Sequence, residues 1–324
     1  MATHRVLVTS VFLRPGGEVD RRLRDEGFEP VYAPLIGGRR TEEELIALLQ
    51  GVSGAIVAGD PFTARVMQAA PQLRVISRTG VGYDAVDVKA ATARGIIVCN
   101  TPGVNRHAVA EWAFALMLAC ARKMHANLAE VRRGGWNRHE GMDLAGKTLG
   151  IVGLGTIGKE VAQRARAFEM RILAHDVQVD QVFAEANGVT YVPLETLLRE
   201  SDFVSLHLFL NERSRHLVNA ERLALMKPTA FLINTARGGI VDTVALVAAV
   251  RAGRLAGAGL DVAEIEPLEA GSPLRELDSV LLSPHVGGVT TDARKNSGAT
   301  AAENLIRALR GERPLAVVNP EVLA

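Results

Sequence analysis

The chain has 324 residues, enough for two domains at roughly 100 to 200 residues each, which excludes a small fold held together by disulfides. Hydrophobic residues make up 48% and charged residues 23%, an ordinary globular mixture that argues against disorder over most of its length. With 37 Lys plus Arg against 36 Asp plus Glu and aromatics at 4%, neither a field that attracts nucleic acid or anionic lipid nor a base-stacking platform is expected.

Near the N-terminus, Val6–Val8 and Val11–Leu13 are too short and interrupted for a secretory h-region. The longest apolar run, residues 113–121, falls short of the ~20 needed to cross a bilayer. Cys99 and Cys120 form no C-x-x-C pair, so reduced thiols in a cytoplasmic protein are expected, without a metal centre.

Short β-rich runs at Val6–Val8, Val31–Tyr32, Ala55–Val57, Val75–Ser77 and Ile96–Val98 alternate with segments such as Glu42–Leu49 and Ala85–Ala93. That alternation predicts βαβ units on a parallel sheet. After a turn at Thr101-Pro102-Gly103, one long Ala-rich helix is expected from Asn105 to about Val131, with surplus apolar surface at Trp112, Phe114, Met117 and Leu118. A second series places strands at Thr148–Val152, Arg171–Ala174, Phe203–Leu208, Ala230–Ile233, Ala258–Val262 and Val280–Leu282. The stretch Ala293–Leu309 reads as a helix ending at Gly311, and Ala316–Val318 as a strand returning to the first sheet. The expected architecture is α/β, with two Rossmann-like doubly wound parallel-sheet domains. A discontinuous substrate domain, flavodoxin-like, takes residues 1–101 and 292–324; a dinucleotide-binding domain takes 102–291 and includes the helix near 105–131.

The strand at Thr148–Val152 runs into Gly153-Leu154-Gly155-Thr156-Ile157-Gly158, and helical apolar spacing follows at Ile157, Val161, Ala165 and Phe168. In that context Gly153 permits a tight turn, Gly155 lets the backbone approach a pyrophosphate, and Gly158 lets the helix pack on the strand. Free N–H groups at Thr156 and Ile157 would face the anion. The next strand ends at His175-Asp176, about 20 residues beyond the glycines, where a carboxylate accepts from ribose hydroxyls and repels a 2′-phosphate; this favours NAD over NADP. A glycine turn that binds nothing and a methyltransferase-type nucleoside site are the competing readings.

Ligands of open α/β sheets sit beyond the carboxyl ends of the strands. Three such ends carry polar residues: Asn234-Thr235-Ala236-Arg237-Gly238-Gly239, Ala263-Glu264-Ile265-Glu266-Pro267, and Ser283-Pro284-His285. Arg237 suits bidentate binding of a carboxylate, His285 a proton donor, and Glu266 a partner that orients the imidazole. Each alone reads equally as a surface ion pair, a helix-start residue or a loop histidine. Together they fit carbonyl reduction coupled to hydride transfer.

Along nearly its whole length the chain resembles the D-isomer-specific 2-hydroxyacid dehydrogenase family, which includes phosphoglycerate dehydrogenases, glyoxylate and hydroxypyruvate reductases and phosphite dehydrogenase. The matching stretches are Ser77–Asp84, Asn100–Gly103, Gly153–Gly158, Asn234–Gly239, Leu260–Val262 with Glu266-Pro267, and Pro284-His285. The resemblance implies the catalytic roles just given, Thr235 and Asp261 beside the cofactor with Asp261 near the nicotinamide carboxamide, and a substrate carboxylate held by the backbone at Val81 and Gly82, with Arg78 at the pocket wall. It also implies a small 2-hydroxy or 2-oxo acid substrate, a cleft between the domains that closes with hinges near Thr101-Pro102 and about Thr290, and a homodimer joined through the helix after Gly103. An NAD-sensing corepressor of the same fold and phosphite oxidation are the alternatives. Two stretches depart from the family pattern. Ala58-Gly59-Asp60-Pro61 lacks the Arg-Ser pair of phosphoglycerate-specific members, and Asp60 would repel a phosphorylated substrate if it faces the cleft, which puts phosphoglycerate in doubt. His207-Leu208-Phe209-Leu210 lacks the usual proline.

Overall fold

A computed structural model of the chain describes residues 4–36, 38 and 40–323. Contacts divide it into two compact units, one of residues up to Asn105 with those from Thr290 onward, the other Arg106–Val289.

In the first unit the strands β1 (Arg5–Val8), β2 (Glu29–Tyr32), β3 (Val52–Val57), β4 (Val75–Arg78) and β5 (Ile97–Cys99) form one parallel sheet in the order β2-β1-β3-β4-β5. This is the flavodoxin-like order, and its direction reverses between β1 and β3. Helices α1 (Glu18–Asp25), α2 (Glu42–Leu48), α3 (Ala64–Gln68) and α4 (Val88–Ala93) connect the strands. A strand buried on both faces needs near-continuous apolar sequence, and Val6, Leu7 and Val8 are all fully buried. The stretch Ala316–Val318 does not become a strand. It makes a single antiparallel bridge between Val317 and Cys99, and the Val318 N–H donates to Val98 O at 2.8 Å. The buried Asn319 fixes it there, accepting the Val98 N–H at 2.8 Å and donating to Ile96 O at 2.9 Å. Side-chain amides do the work that a ladder would otherwise do.

In the second unit the chain first makes α5 (Arg106–Ala121) and α6 (Met124–Arg132). The expected single helix is therefore two, broken at Lys123, whose φ of 44° leaves the right-handed helical region. The surplus apolar surface expected around Trp112 is also corrected. Phe114, Met117 and Cys120 are buried in this unit's own core, and the Trp112 indole N–H donates to Ser283 Oγ at 3.1 Å.

Strands β6 (Thr148–Val152), β7 (Arg171–His175), β8 (Val189–Tyr191), β9 (Phe203–Leu206), β10 (Phe231–Asn234), β11 (Gly257–Leu260) and β12 (Val280–Leu282) form a parallel sheet ordered β12-β11-β10-β9-β6-β7-β8. Between them run α7 (Thr156–Ala167), α8 (Gln181–Asn187), α9 (Leu194–Glu200), α10 (Ala220–Leu223) and α11 (Thr243–Arg251). Six strands were expected; β8 is the seventh, too short to announce itself in the apolar pattern. The order reverses between β6 and β9, so the crevice at the carboxyl end of β6 is where a ligand of such a sheet binds. The last helix, α12 (Thr291–Arg310), belongs to the first unit, where Leu305 and Leu309 are buried. Among the described residues, no helix is long and apolar enough to cross a membrane.

Candidate active site

The glycine loop lies at that reversal. A Cβ on Gly153, where φ is 95°, would stand 2.5 Å from His207 O, and one on Gly158 would stand 2.1 Å from Gly153 O. Both positions therefore exclude any side chain. At Gly155, by contrast, an added Cβ would meet nothing within 4 Å, so the backbone is open on that side. Helix α7 starts at Thr156 with Gly155 as its N-cap and no side chain capping it, which leaves the N–H groups of its first turn for a ligand. Asp176 sits over the loop: one carboxylate oxygen accepts the Leu154 N–H at 2.6 Å, the other the Gln178 N–H at 3.0 Å. Each oxygen keeps a lone pair for a ribose hydroxyl. At the end of β10, the buried Thr235 hydroxyl has no hydrogen-bond partner among the described residues. An open backbone, free helix N–H groups, an outward-held carboxylate and an unsatisfied buried hydroxyl together fit a dinucleotide.

Beyond β11 and β12 the acid and the imidazole meet. Glu266 Oε2 lies 2.8 Å from His285 Nδ1, and Glu266 Oε1 accepts the Ala263 N–H at 3.1 Å. Burial pushes the Glu266 carboxyl up, but the hydrogen bond and charge of His285, the Ala263 N–H and the nearby Arg237 guanidinium outweigh it and hold the group below the usual carboxylate range. Arg237 extends from the end of β10, in a loop shaped by Asn234, whose Nδ2 donates to Arg237 O at 2.9 Å and whose Oδ1 accepts the Ala236 N–H at 3.0 Å. His285 itself has φ of 55°, a conformation uncommon for a residue with a side chain. Its N–H donates to Asp261 O at 2.8 Å, which pins the turn.

Asp261 is 1% exposed. Its carboxylate accepts from Ser283 Oγ at 2.7 Å, from the Val286 N–H at 2.8 Å and from the Gly287 N–H at 2.8 Å. The sequence gives neither Ser283 nor Trp112 a role at Asp261. Nothing in their spacing marks them, because they act by holding Asp261.

In the first unit, Thr101 N–H donates to Gly80 O at 3.2 Å and Asn100 Nδ2 to Val81 O at 2.8 Å. In a trans peptide the N–H points opposite to the carbonyl, so the N–H groups of Val81 and Gly82 both turn away from these partners. N–H groups turned away from the fold's own acceptors are suited to an anion. Arg78 ends β4 just before this loop. Asp60 does not stand as a bare carboxylate. Its carboxylate is buried, paired with Arg40 Nε at 2.9 Å and accepting from the Thr9 hydroxyl at 2.5 Å, so the charge is compensated within the unit.

A family model described as D-isomer specific 2-hydroxyacid dehydrogenase, NAD binding domain, matches residues 114–287. The chain is 48% identical to a glyoxylate reductase of Korarchaeum cryptofilum over 270 residues, 82% of this chain and 81% of that one. It is 41% identical to a glyoxylate reductase of Thermofilum pendens over 100% of this chain and 96% of the other. The crystal structure of the TT0316 protein of Thermus thermophilus matches with a TM-score of 0.89 at 42% identity, over 97% of this chain and 99% of that one.

His207, without the proline the pattern led one to expect, packs its carbonyl on Gly153, and its Nε2 lies 2.9 Å from Ser205 Oγ. Burial pushes the ring down to about 4 from 6.5. Between those values the unfolded chain binds a proton that the folded chain does not, so stability should rise with pH through this window and fall on acidification, by at most about 3 kcal/mol. Thermal melts from pH 4 to 7 should show a shallower slope for His207→Gln than for the parent. Identical slopes would remove His207 as the cause.

Proposed function

This chain belongs to the D-isomer-specific 2-hydroxyacid dehydrogenases, nicotinamide-dependent oxidoreductases acting at C2 of small 2-hydroxy and 2-oxo acids, and within that reaction we propose that Arg237, Glu266 and His285 are the catalytic residues and glyoxylate the kind of substrate they serve. The 2.8 Å bond between Glu266 and His285 at adjacent strand ends carries this reading.

The nicotinamide, when bound, supplies or accepts the hydride. Arg237 binds the substrate carboxylate and draws electron density from the neighbouring carbonyl. Glu266 occupies Nδ1 of His285, which leaves Nε2 to deliver a proton to the carbonyl oxygen during reduction and to withdraw it during oxidation. The N–H groups of Val81 and Gly82 are assigned to the substrate carboxylate, with Arg78 beside them. Gly153, Gly155, Thr156, Ile157 and Gly158 are assigned to the pyrophosphate, Asp176 to the adenosine ribose, and Thr235 and Asp261 to the nicotinamide half. With no Arg-Ser pair in the stretch Ala58-Gly59-Asp60-Pro61 to hold a phosphate, a small unphosphorylated acid is the preferred substrate, in keeping with the relatives named glyoxylate reductases.

A homodimer is part of the same reading, but through α6 rather than α5, whose Trp112 is partly buried against this unit's own core. Met124, Leu128, Val131 and Trp136 are 46%, 53%, 55% and 79% exposed along α6 and the loop after it, an apolar surface that a second copy would cover. Cytoplasmic residence rests on the two cysteines, both buried free thiols pushed up to about 12 by desolvation.

His285→Ala should lower kcat for glyoxylate with NADH by roughly 10²- to 10⁴-fold while NADH affinity, read by fluorescence titration, stays near the parent's; parent-like turnover rejects the assignment. The parent should prefer NADH, and Asp176→Ala should raise the NADPH to NADH ratio of kcat/KM by about tenfold or more, since a 2′-phosphate no longer faces a carboxylate. A parent that prefers NADPH contradicts the role given to Asp176. Light scattering should find the parent as a dimer and Trp136→Glu as a monomer of 34.6 kDa, and a monomeric parent would end the dimer reading.

A further inference from the structure

Two residues before Glu266 stands a second acid with an imidazole of its own. His216 Nε2 lies 2.6 Å from Glu264 Oε1, and Glu264 Oε2 accepts the Thr243 N–H at 3.1 Å. Burial raises the Glu264 carboxyl, and its bonds to Thr243 and His216 bring it below the usual range, so it is an anion at neutral pH. His216 belongs to the strap that follows β9, and this strap runs beside the loop carrying Arg237. The His216 N–H donates to Gly239 O at 2.8 Å, the Val218 N–H donates to Ile240 O at 3.0 Å, and Val218 bridges to Val241. The imidazole thus reaches from a segment locked to the Arg237 loop across to the segment that ends in Glu266.

At Gly238 the two loops meet with no side chain between them. A Cβ on Gly238 would lie 2.0 Å from the carbonyl carbon of Ala263 and 2.3 Å from Glu264 N, so backbone is stacked directly on backbone. Such a contact resists compression, but a smooth surface does little to prevent lateral sliding. The bond from His216 to Glu264 runs across it. The Ala263 N–H, in the same stacked segment, is the one that holds Glu266 Oε1, so a shift of Ala263–Glu264 is passed to Glu266 and then to His285.

We propose that His216 and Glu264 are positioning residues, a clamp that fixes the Arg237 loop against the Ala263–Glu266 segment and so sets where Glu266 and His285 stand relative to the guanidinium. The proposal rests on the reading that Arg237, Glu266 and His285 act on the substrate. Magnitudes separate it from a surface ion pair that only stabilises the fold. The two side chains are 42% and 27% exposed, and a pair so exposed is worth about 0 to 1 kcal/mol to stability. Displacing catalytic groups by about 1 Å can cost up to roughly 10²-fold in rate. A clamp therefore shows in turnover far more than in melting temperature.

The test measures kcat and KM for glyoxylate, NADH affinity and melting temperature for the full-length parent, His216→Leu, His216→Gln, Glu264→Ala, and the double variant His216→Leu/Glu264→Ala, with His285→Ala alongside. Either single loss should lower kcat by about 5- to 50-fold, leave KM and NADH affinity within about threefold, and hardly move the melt. His216→Gln, which keeps a donor at similar reach, should recover most of the rate, and the double variant should be no slower than the slower single one, because both remove one interaction. Single variants within twofold of the parent, a Gln variant no better than Leu, or losses that multiply in the double variant would overturn the clamp. Should His216→Leu fail to fold, Glu264→Ala decides on the same criteria. An active His285→Ala would instead overturn the catalytic assignment beneath the proposal, so the two failures are distinguishable.

Discussion

The buried carboxylate of Asp261 is the constraint from which the chemistry of the second unit follows. It receives a hydroxyl and two backbone N–H groups from the turn after β12, while its own carbonyl accepts the His285 N–H. Holding His285 at a φ of 55° costs on the order of 1 to 3 kcal/mol, and bonds to a charged acceptor contribute about 1.5 to 3 kcal/mol each. Two N–H bonds of that kind are enough to offset the strain. The turn then aims the imidazole at Glu266, and a bent backbone rather than a long side chain sets where the ring stands.

The same carboxylate links the turn to the helical layer. Trp112 on α5 donates to Ser283 Oγ, and Ser283 donates to Asp261. Helix α5 is apolar around most of its circumference, with nine residues buried, so it lies as a core layer against the sheet and cannot roll without losing its packing. An indole on so fixed a helix is a rigid anchor for Ser283. That explains why a large aromatic stands beside a polar turn: it fixes the hydroxyl that donates to Asp261.

Much of this was legible in the sequence for reasons that are local. The glycine loop is read from spacing because backbone sterics forbid any other residue at Gly153 and Gly158. Arg237, Glu266 and His285 could be grouped from the sequence because parallel strands deliver whatever follows them to one edge. The break at Lys123 was not legible, since the residues on both sides favour a helix and only the chain's need to leave α5 imposes the positive φ. Strand β8 was missed because three residues, only Val189 among them fully apolar and buried, give no period to read. The apolar excess of α5 was visible, but its destination was not. Whether a hydrophobic face meets its own core or another molecule is decided by tertiary packing, which composition does not encode.

Asp60 shows the same limit with the sign reversed. In the sequence, a carboxylate after β3 is a charge with no visible partner. In the fold, Arg40 arrives from the far side of β2, pairs with it at 2.9 Å and donates from Nη2 to Ala33 O at 2.6 Å. Both side chains are only 9% exposed, so neither charge is available to a ligand without breaking a buried pair, a loss on the order of 3 to 5 kcal/mol. The partner of Asp60 comes from a stretch 20 residues away, and only the fold brings the two charges together, as only the fold decides where the apolar face of α5 goes.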